Sequence, residues 1–325
     1  MCKLLTILLL GVLMSWAQVP ATINATLFQT PVPVPAPAGR TAVHLVAAEL
    51  TGDRVDDVAV VWATGGFSIF SGTASGEMRL ERTFDTAPFN VSGLVIADFN
   101  GDSRPDIVIS REDPNVRPRS GEICFYQGSA NGFPASPTRC QTSPYRVVEA
   151  DNLNGDRLPD LVGHNPENGT LGVFFGSGFG NFRLIQEFPR VNPGGPLHRQ
   201  AMIDLNRDGR AELIYLDDRT IRILLNDPAL EQLVPGWTYE VPGRDGALYI
   251  ADFNRDGRPD LLARSTNGTQ MQEQFFLGVS PTAPFFQLGR SGERDPGQFP
   301  VGVFLFDFDQ DGLPDITAAT TDGFM

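Results

Sequence analysis

Short acidic segments recur along the chain, and each one spaces oxygen-bearing side chains at alternate positions. If the first such side chain is position 1, an Asp, Asn, Glu or Thr stands at positions 1, 3 and 5, and a carboxylate stands at position 9. Alternate oxygens in a tight turn point to a common centre, and Ca²⁺ takes about six to eight oxygen ligands. The six segments have the side-chain sets Glu49, Thr51, Asp53 and Asp57; Asp98, Asn100, Asp102 and Asp106; Asn152, Asn154, Asp156 and Asp160; Asp204, Asn206, Asp208 and Glu212; Asp252, Asn254, Asp256 and Asp260; Asp307, Asp309, Asp311 and Asp315.

Calcium is the metal that this donor set favours. Position 7 would add a backbone carbonyl oxygen, and we expect roughly four to six structural Ca²⁺ ions. Zinc prefers Cys and His, which the segments lack, and Mg²⁺ demands small octahedral sites. In the second to sixth segments, the carbonyls at position 7 belong to Arg104, Leu158, Arg210, Arg258 and Leu313.

Two other interpretations of the acidic segments differ in how well they fit. An EF-hand would close with a glutamate at position 12, and no segment has one there. A solvated turn is the alternative for any single segment, but repetition argues against it for the second, fourth, fifth and sixth. In the first, with Glu49 and Thr51, and the third, with Asn152 and Asn154 beside Asp151, both interpretations stay open.

The elements around these loops repeat with the same pitch, about 50 residues, which is long enough for four short strands. An apolar run precedes each loop, as in 94–97, and another follows it, as in 107–109. The second run is apolar without alternation in several copies, which is typical of a strand buried on both faces. A glycine at position 4 or 6 supplies a permissive residue for each turn. The pattern predicts an all-β fold of propeller blades, whereas a β-sandwich would need no such repeat.

The loops resemble the FG-GAP or VCBS repeats of integrin-α-like β-propellers, whose acidic loop reads D-x-N-x-D-G-x-P-D. The segment 175–182 resembles the glycine-rich turn that follows in such repeats. The resemblance implies a propeller over residues 41–325, with six recognisable four-stranded blades. It also implies that the acidic loops lie on one face and that ligands bind on the other. The sixth unit has only one strand after Asp315, so we expect an incomplete last blade, and an intact chain of seven blades remains open.

The N-terminus predicts export. Lys3 precedes an uncharged apolar run that ends near Ala17, so residues 1–17 resemble a signal peptide, and the run is short for a membrane span. Residues 18–40 are Pro-rich, and we expect them to contribute a closing strand. The formal net charge of −14 argues against nucleic acid or an anionic membrane as partner. We therefore expect a secreted or periplasmic monomer.

Two cysteines remain after removal of the signal. Cys124 and Cys140 flank the turn signal Asn131-Gly132, which allows them to face each other on paired strands. An oxidising compartment favours a disulfide over two free thiols.

The residues favour a binding or scaffold module over an enzyme. His44 lies on a predicted core strand, while His164 and His198 lie in predicted loops on the ligand face, at the surface or at a ligand. Long loops at 110–122, 189–199 and 289–300 would present binding residues for an extracellular glycan or protein. The alternative is a secreted hydrolase or lyase that uses the propeller face as its active site.

Overall fold

The chain is described from a computed structural model that covers residues 40–73, 77–116, 121–189, 200–267, 270–294, 300–306, 315–320 and 323–324. Side chains from residue 300 onward, and those of residues 245, 293 and 294, lie outside this description. The predicted signal peptide and almost all of the Pro-rich segment also lie outside it. The chain divides into two compact units, Met1–Ala150 with Arg157–Glu187, and Asp151–Asp156 with Phe188–Met325.

The described residues form 23 strands, numbered β1 to β23, in sheets whose neighbouring strands are consecutive and antiparallel. The first sheet contains β1 (Ala42–Ala48), β2 (Asp57–Trp62), β3 (Gly66–Gly72) and β4 (Met78–Asp85). The second contains β5 (Asn90–Ala97), β6 (Asp106–Glu112), β7 (Gly121–Tyr126) and β8 (Arg139–Thr142). The third contains β9 (Arg146–Asp151), β10 (Asp160–His164), β11 (Leu171–Gly176) and β12 (Phe182–Phe188).

The later sheets repeat the arrangement. The fourth contains β13 (Gln200–Ile203), β14 (Glu212–Asp217), β15 (Thr220–Asp227) and β16 (Gln232–Glu240). The fifth contains β17 (Arg244–Ala251), β18 (Asp260–Thr266), β19 (Met271–Gly278) and β20 (Phe286–Arg294). The sixth contains β21 (Pro300–Phe306), β22 (Asp315–Thr320) and β23 (Gly323–Phe324).

This architecture confirms the all-β prediction. Five four-stranded antiparallel sheets follow one another at the pitch of the acidic loops, as expected for propeller blades, and each loop joins the first two strands of its sheet. The predicted strands 94–97 and 107–109 fall in β5 and β6. The sixth sheet has a third strand of two residues, β23, where the sequence predicted none. No helix in the described residues is long and apolar enough to cross a membrane.

In the first five sheets the second strand is buried on both faces, as its unbroken apolar sequence predicted. In β2, Ala59 and Val61 pack in one cluster with Ile107 of β6, while Val58 and Val60 pack in another on the opposite side. Each fully buried aliphatic side chain contributes about 1.5–3 kcal/mol relative to an exposed one. Sheets one and two therefore share a continuous core, and sheets two and three share another, which includes Val108 and Leu161.

In the second unit, a cluster joins the fourth and fifth sheets. Ile214 of β14 and Leu261 of β18, both with no exposed surface, lie in this cluster with Phe276 and Phe286. These side chains position the acidic loops, because each loop ends at the first residue of a buried second strand.

The outermost strands of three sheets carry a bulge at an equivalent place. The register with the third strand shifts next to Phe70, Leu224 and Phe276. Each of these residues pairs with the residue directly after position 9 of its loop. Bulges twist an edge strand away from pairing with other chains, so this repeated feature protects the edges.

Candidate metal centres

The five described acidic loops share one backbone conformation, with left-handed residues at positions 4 and 6. In the second loop these are Gly101 (φ 77°) and Ser103 (φ 65°). The expectation of one permissive residue per loop was incomplete, because each loop needs two and only one is glycine. A non-glycine residue in this region costs about 1–2 kcal/mol, so the loops carry strain. The non-glycine residues are Arg54, Ser103, Arg157, Arg207 and Arg255.

Backbone N–H groups orient the side chains at positions 1, 3 and 5. In the second loop, the Asp98 carboxylate accepts from the N–H groups of Gly101 (2.7 Å), Asp102 (3.1 Å) and Ser103 (2.7 Å). Asn100 Oδ1 accepts from the Asp102 N–H at 2.9 Å, and Asp102 Oδ1 from the Arg104 N–H at 2.9 Å. The fourth and fifth loops repeat the bonds of positions 1, 3 and 5 to residues further along the loop. The sequence therefore builds the same oxygen arrangement several times.

The position-9 carboxylate fastens the loop to the sheet. Asp106 has no exposed surface, and its two oxygens accept from the Phe99 N–H (3.0 Å) and the Gly128 N–H (2.7 Å). Phe99 is position 2 of the loop, and Gly128 follows the third strand. Asp57 and Asp260 make the same pair of bonds, to Leu50 and Gly72 and to Phe253 and Gly278. The close approach at this place accounts for the glycine that recurs at or just after the end of the third strand, since a Cβ at Gly128 would lie 2.0 Å from the Pro105 carbonyl oxygen.

Burial and mutual repulsion raise the pKa values of these carboxylates. Burial is the largest cause for Asp106, whose pKa rises to about 6, and the negative charges of Asp102 and Asp98 raise it further. The pKa of Glu212 rises to about 7 for the same reasons, with Asp208 and Asp204 as the repelling charges. The pKa values of Asp57 and Asp260 are also raised, with burial first among the causes. The carboxylates of the first, second, fourth and fifth loops thus lie close enough to repel each other.

This donor set fits a hard cation. In the second, fourth and fifth loops, as far as the described residues extend, no Lys or Arg lies within ion-pair distance of the carboxylates. Among the described residues, the one group of three Asp, Glu, Cys or His ligand atoms within 4.8 Å of one another is Glu122, Cys124 and Cys140. No three carboxylates of a described acidic loop thus lie this close together. Two oxygens on one Ca²⁺ are at most about 5 Å apart. A shared ion would therefore draw the loop carboxylates together.

The comparisons with known proteins agree with the loop geometry. Residues 204–263, which include the fourth and fifth loops, match the family model described as FG-GAP-like repeat. The resemblance stated from the loop sequences is thereby confirmed in this part of the chain.

The curated relatives of this chain are distant. The T-cell immunomodulatory protein of Mus musculus is 22% identical over 325 residues, covering 87% of this chain and 53% of that protein. Integrin alpha-7 of Homo sapiens is 27% identical over 194 residues, covering 54% of this chain and 14% of the integrin. The chain thus spans about half or less of these relatives. A periplasmic gluconolactonase from Pseudomonas aeruginosa has a TM-score of 0.47 and 18% identity, covering 76% of this chain and 69% of that one, which says nothing about an activity here.

The first and third acidic loops keep the conformation in spite of their altered ligands. Glu49 Oε1 accepts from the N–H groups of Thr51 (3.0 Å) and Gly52. Asn152 Oδ1 accepts from the Gly155 N–H at 2.8 Å, so it takes the place that an Asp occupies in the second loop. Asp151 Oδ1 accepts from the adjacent Asn152 N–H at 2.7 Å. The sixth loop, residues 307–314, lies outside the description, and so does the side chain of Asp315.

A cluster of charged and aromatic side chains lies at the end of the second and third sheets that is opposite their acidic loops. Arg111 donates to Glu122 Oε2 through Nε (2.9 Å) and Nη2 (2.7 Å), and its guanidinium lies 4.4 Å from the centre of the Phe89 ring. Beside it, Arg146 donates to Glu112 at 2.8 Å. The long loop predicted over 110–122 is shorter than expected, because β6 extends to Glu112 and β7 begins at Gly121. Its residues 117–120 lie outside the description.

A second polar group lies at the same end of the third sheet. The Tyr145 hydroxyl lies 3.1 Å from Thr170 Oγ1 and donates to Glu187, and burial, with the Glu187 carboxylate, raises the tyrosine pKa to about 12. His164 ends β10 with 4% of its surface exposed, so its predicted surface position was wrong. His44 lies on β1 and is partly buried, as predicted, while His198 lies outside the description.

The disulfide prediction is confirmed. Cys124 of β7 pairs directly with Cys140 of β8, and their sulfur atoms are bonded. The bond joins the third strand of the second sheet to its outer strand. It thus fastens an edge that would otherwise depend on a four-residue strand.

Proposed function

We propose that the chain is a calcium-stabilised binding module, exported from the cell, whose acidic loops hold structural Ca²⁺ and whose opposite loops bind an extracellular protein or glycan. One observation carries the calcium proposal. The same loop recurs with its oxygen side chains held by backbone N–H groups, and the position-9 carboxylates of the second and fourth loops have raised pKa values beside other negative charges.

The proposed ligands come from this chain alone. Positions 1, 3 and 5 and the position-7 carbonyl would hold the ion, as predicted from the sequence. The lone pairs of the position-9 carboxylate that its N–H donors leave free would close the shell. A bound Ca²⁺ would neutralise the repulsion within each loop and so stabilise the sheet that the loop closes. Its role is structural, because the position-9 side chain fastens the loop to the sheet.

Ion counting tests this proposal. Equilibrium dialysis of the exported protein should find roughly four to six Ca²⁺ per chain. Asp102→Asn should remove one ion, whereas Asp113→Asn, a change of the same type outside the acidic loops, should remove none. A stoichiometry of zero would refute the calcium sites.

The binding half of the proposal rests on the Arg111 and Phe89 cluster. Arginine and aromatic side chains are enriched where proteins bind partners, and the relatives include an integrin alpha chain and a T-cell immunomodulatory protein. We expect the partner to meet the end of the sheets opposite the acidic loops.

A ligand screen tests the binding half. Calcium-loaded protein is applied to a glycan array and to immobilised extracellular proteins, and any ligand found is titrated against Arg111→Gln. We expect at least a tenfold loss of affinity, about 1.4 kcal/mol. The matched control is Arg79→Gln, on the outer strand β4, where the side chain is 71% exposed. Equal affinity of both variants would place the ligand elsewhere.

A further inference from the structure

The third and fourth acidic loops are joined by three hydrogen bonds. The Ala211 N–H donates to the Asn152 carbonyl at 2.8 Å, and Asn152 Nδ2 lies 3.4 Å from the Gly209 carbonyl oxygen. Arg210 Nε donates to the Asn154 carbonyl at 3.2 Å. Asn152, Asn154 and Arg210 are all proposed metal-ligating residues, so each loop contacts the other through its ligands.

A single arginine joins the fourth loop to the fifth. Arg207 Nη2 donates to the Gly257 carbonyl oxygen at 2.5 Å. The N–H of Gly257 in turn donates to Asp252 Oδ2 at 2.9 Å, and Asp252 is position 1 of the fifth loop. Arg207 itself stands between Asn206 and Asp208, two proposed ligands of the fourth loop. The path from one site to the next therefore runs through two hydrogen bonds.

The residue types at these places agree with a linking role. Position 4 is glycine in the first three loops, but Arg207 occupies it with φ 62° and bears the cost of that conformation. A glycine at this position would have no side chain to donate to the Gly257 carbonyl oxygen. On the other side, Gly155 leaves room for Arg210, since a Cβ there would lie 2.4 Å from Arg210 Nε. The residue types in these loops therefore suit contacts with the neighbouring loop in addition to the proposed binding of an ion.

We infer that calcium binding by the third, fourth and fifth loops is coupled, with Arg207 as the positioning residue between the fourth and fifth. This inference rests on the proposed calcium sites. An ion that fixes Asn206 and Asp208 also fixes the base of the Arg207 side chain. The guanidinium then holds Gly257 where its N–H orients Asp252, so the fifth loop is ordered before its own ion binds. A site that needs less ordering binds more tightly.

Hydrogen exchange at the loop amides can measure each site separately. The amides of Gly209 and Arg210 report the fourth loop, and those of Gly257 and Arg258 report the fifth, while free Ca²⁺ is titrated. Asp208→Asn weakens the fourth site. We expect it to raise the calcium midpoint of the fifth loop about fivefold or more, the lower end of usual coupling. In an Arg207→Gln background, the same substitution should leave that midpoint unchanged.

Arg54→Gln is the matched control, because Arg54 is also a left-handed loop arginine (φ 67°) but makes no bond to another loop within the described part of the chain. It should leave the coupling of the fourth and fifth loops intact. If calcium protects both loops but Asp208→Asn shifts the fifth equally with and without Arg207, the coupling is refuted and the calcium sites stand. If calcium protects neither loop in the unchanged protein, both proposals fail.

Discussion

The buried position-9 carboxylates should give the metal-free protein an unusual pH dependence. Asp106 and Glu212 have folded-state pKa values of about 6 and about 7, against ordinary values of 3.8 and 4.5. Between pH 5 and pH 7.5 the folded protein thus holds protons that the unfolded chain has released. Stability therefore falls as pH rises through this range.

The size of the effect follows from the two pKa values. One pKa unit corresponds to about 1.4 kcal/mol. As the pH rises from 5, Asp106 in the folded protein ionises about one pH unit higher and Glu212 about two pH units higher. The losses are about 1 and about 3 kcal/mol, or about 4 kcal/mol together. Asp57 and Asp260, whose pKa values are also raised, add to it in the same direction.

Urea unfolding in metal-free buffer at pH 5.0 and pH 7.5 measures this difference. Glu212→Gln should reduce it by about 3 kcal/mol, whereas Glu231→Gln, which removes an exposed carboxylate between the third and fourth strands of the same sheet, serves as control. Excess Ca²⁺ should reverse the sign, because a bound cation favours the ionised carboxylates. Equal metal-free stability at the two pH values, or no effect of Glu212→Gln, would refute this account of the loop electrostatics.

Two further predictions concern the loop backbone and the outer edge. Ser103→Gly should raise the free energy of unfolding by about 1 kcal/mol in urea titrations, because glycine adopts φ 65° without strain, and a loss of stability would contradict it. Reduction of Cys124–Cys140 should lower the free energy of unfolding by about 3 kcal/mol, the chain-entropy value for a loop of about this length. Two reactive thiols in the unreduced, unfolded protein would show that the bond does not form.

Most of the fold could be predicted from the repeated acidic loops and the apolar runs around them. The spacing of the loops predicted four-stranded sheets. The unbroken apolar runs predicted their second strands, because a strand that is buried on both faces has no polar face. The third strand of the last sheet was missed, since two residues carry no periodicity. His164 was misplaced because the end of β10 is covered by neighbouring elements, which local sequence does not report.

Parts of the candidate site could not be predicted for physical reasons. The left-handed conformation of Arg54 and Arg207 could not be predicted from the sequence, because arginine has no preference for that conformation. The bonds from Asp106 to Phe99 and Gly128 depend on contacts between separate strands. The glycine after the third strand was visible, but its purpose appears only when a Cβ is placed against the neighbouring carbonyl oxygen.

Thermal unfolding with and without calcium tests the central claim most directly. The protein is melted in excess EDTA, then in Ca²⁺, and then in Mg²⁺ at the same concentration. Each Ca²⁺ site held at 100 times its dissociation constant adds about 2.7 kcal/mol, so several sites should raise the midpoint by well over 10 °C. Mg²⁺ should raise it much less. A midpoint that is the same in EDTA and in Ca²⁺ would contradict a structural role for calcium.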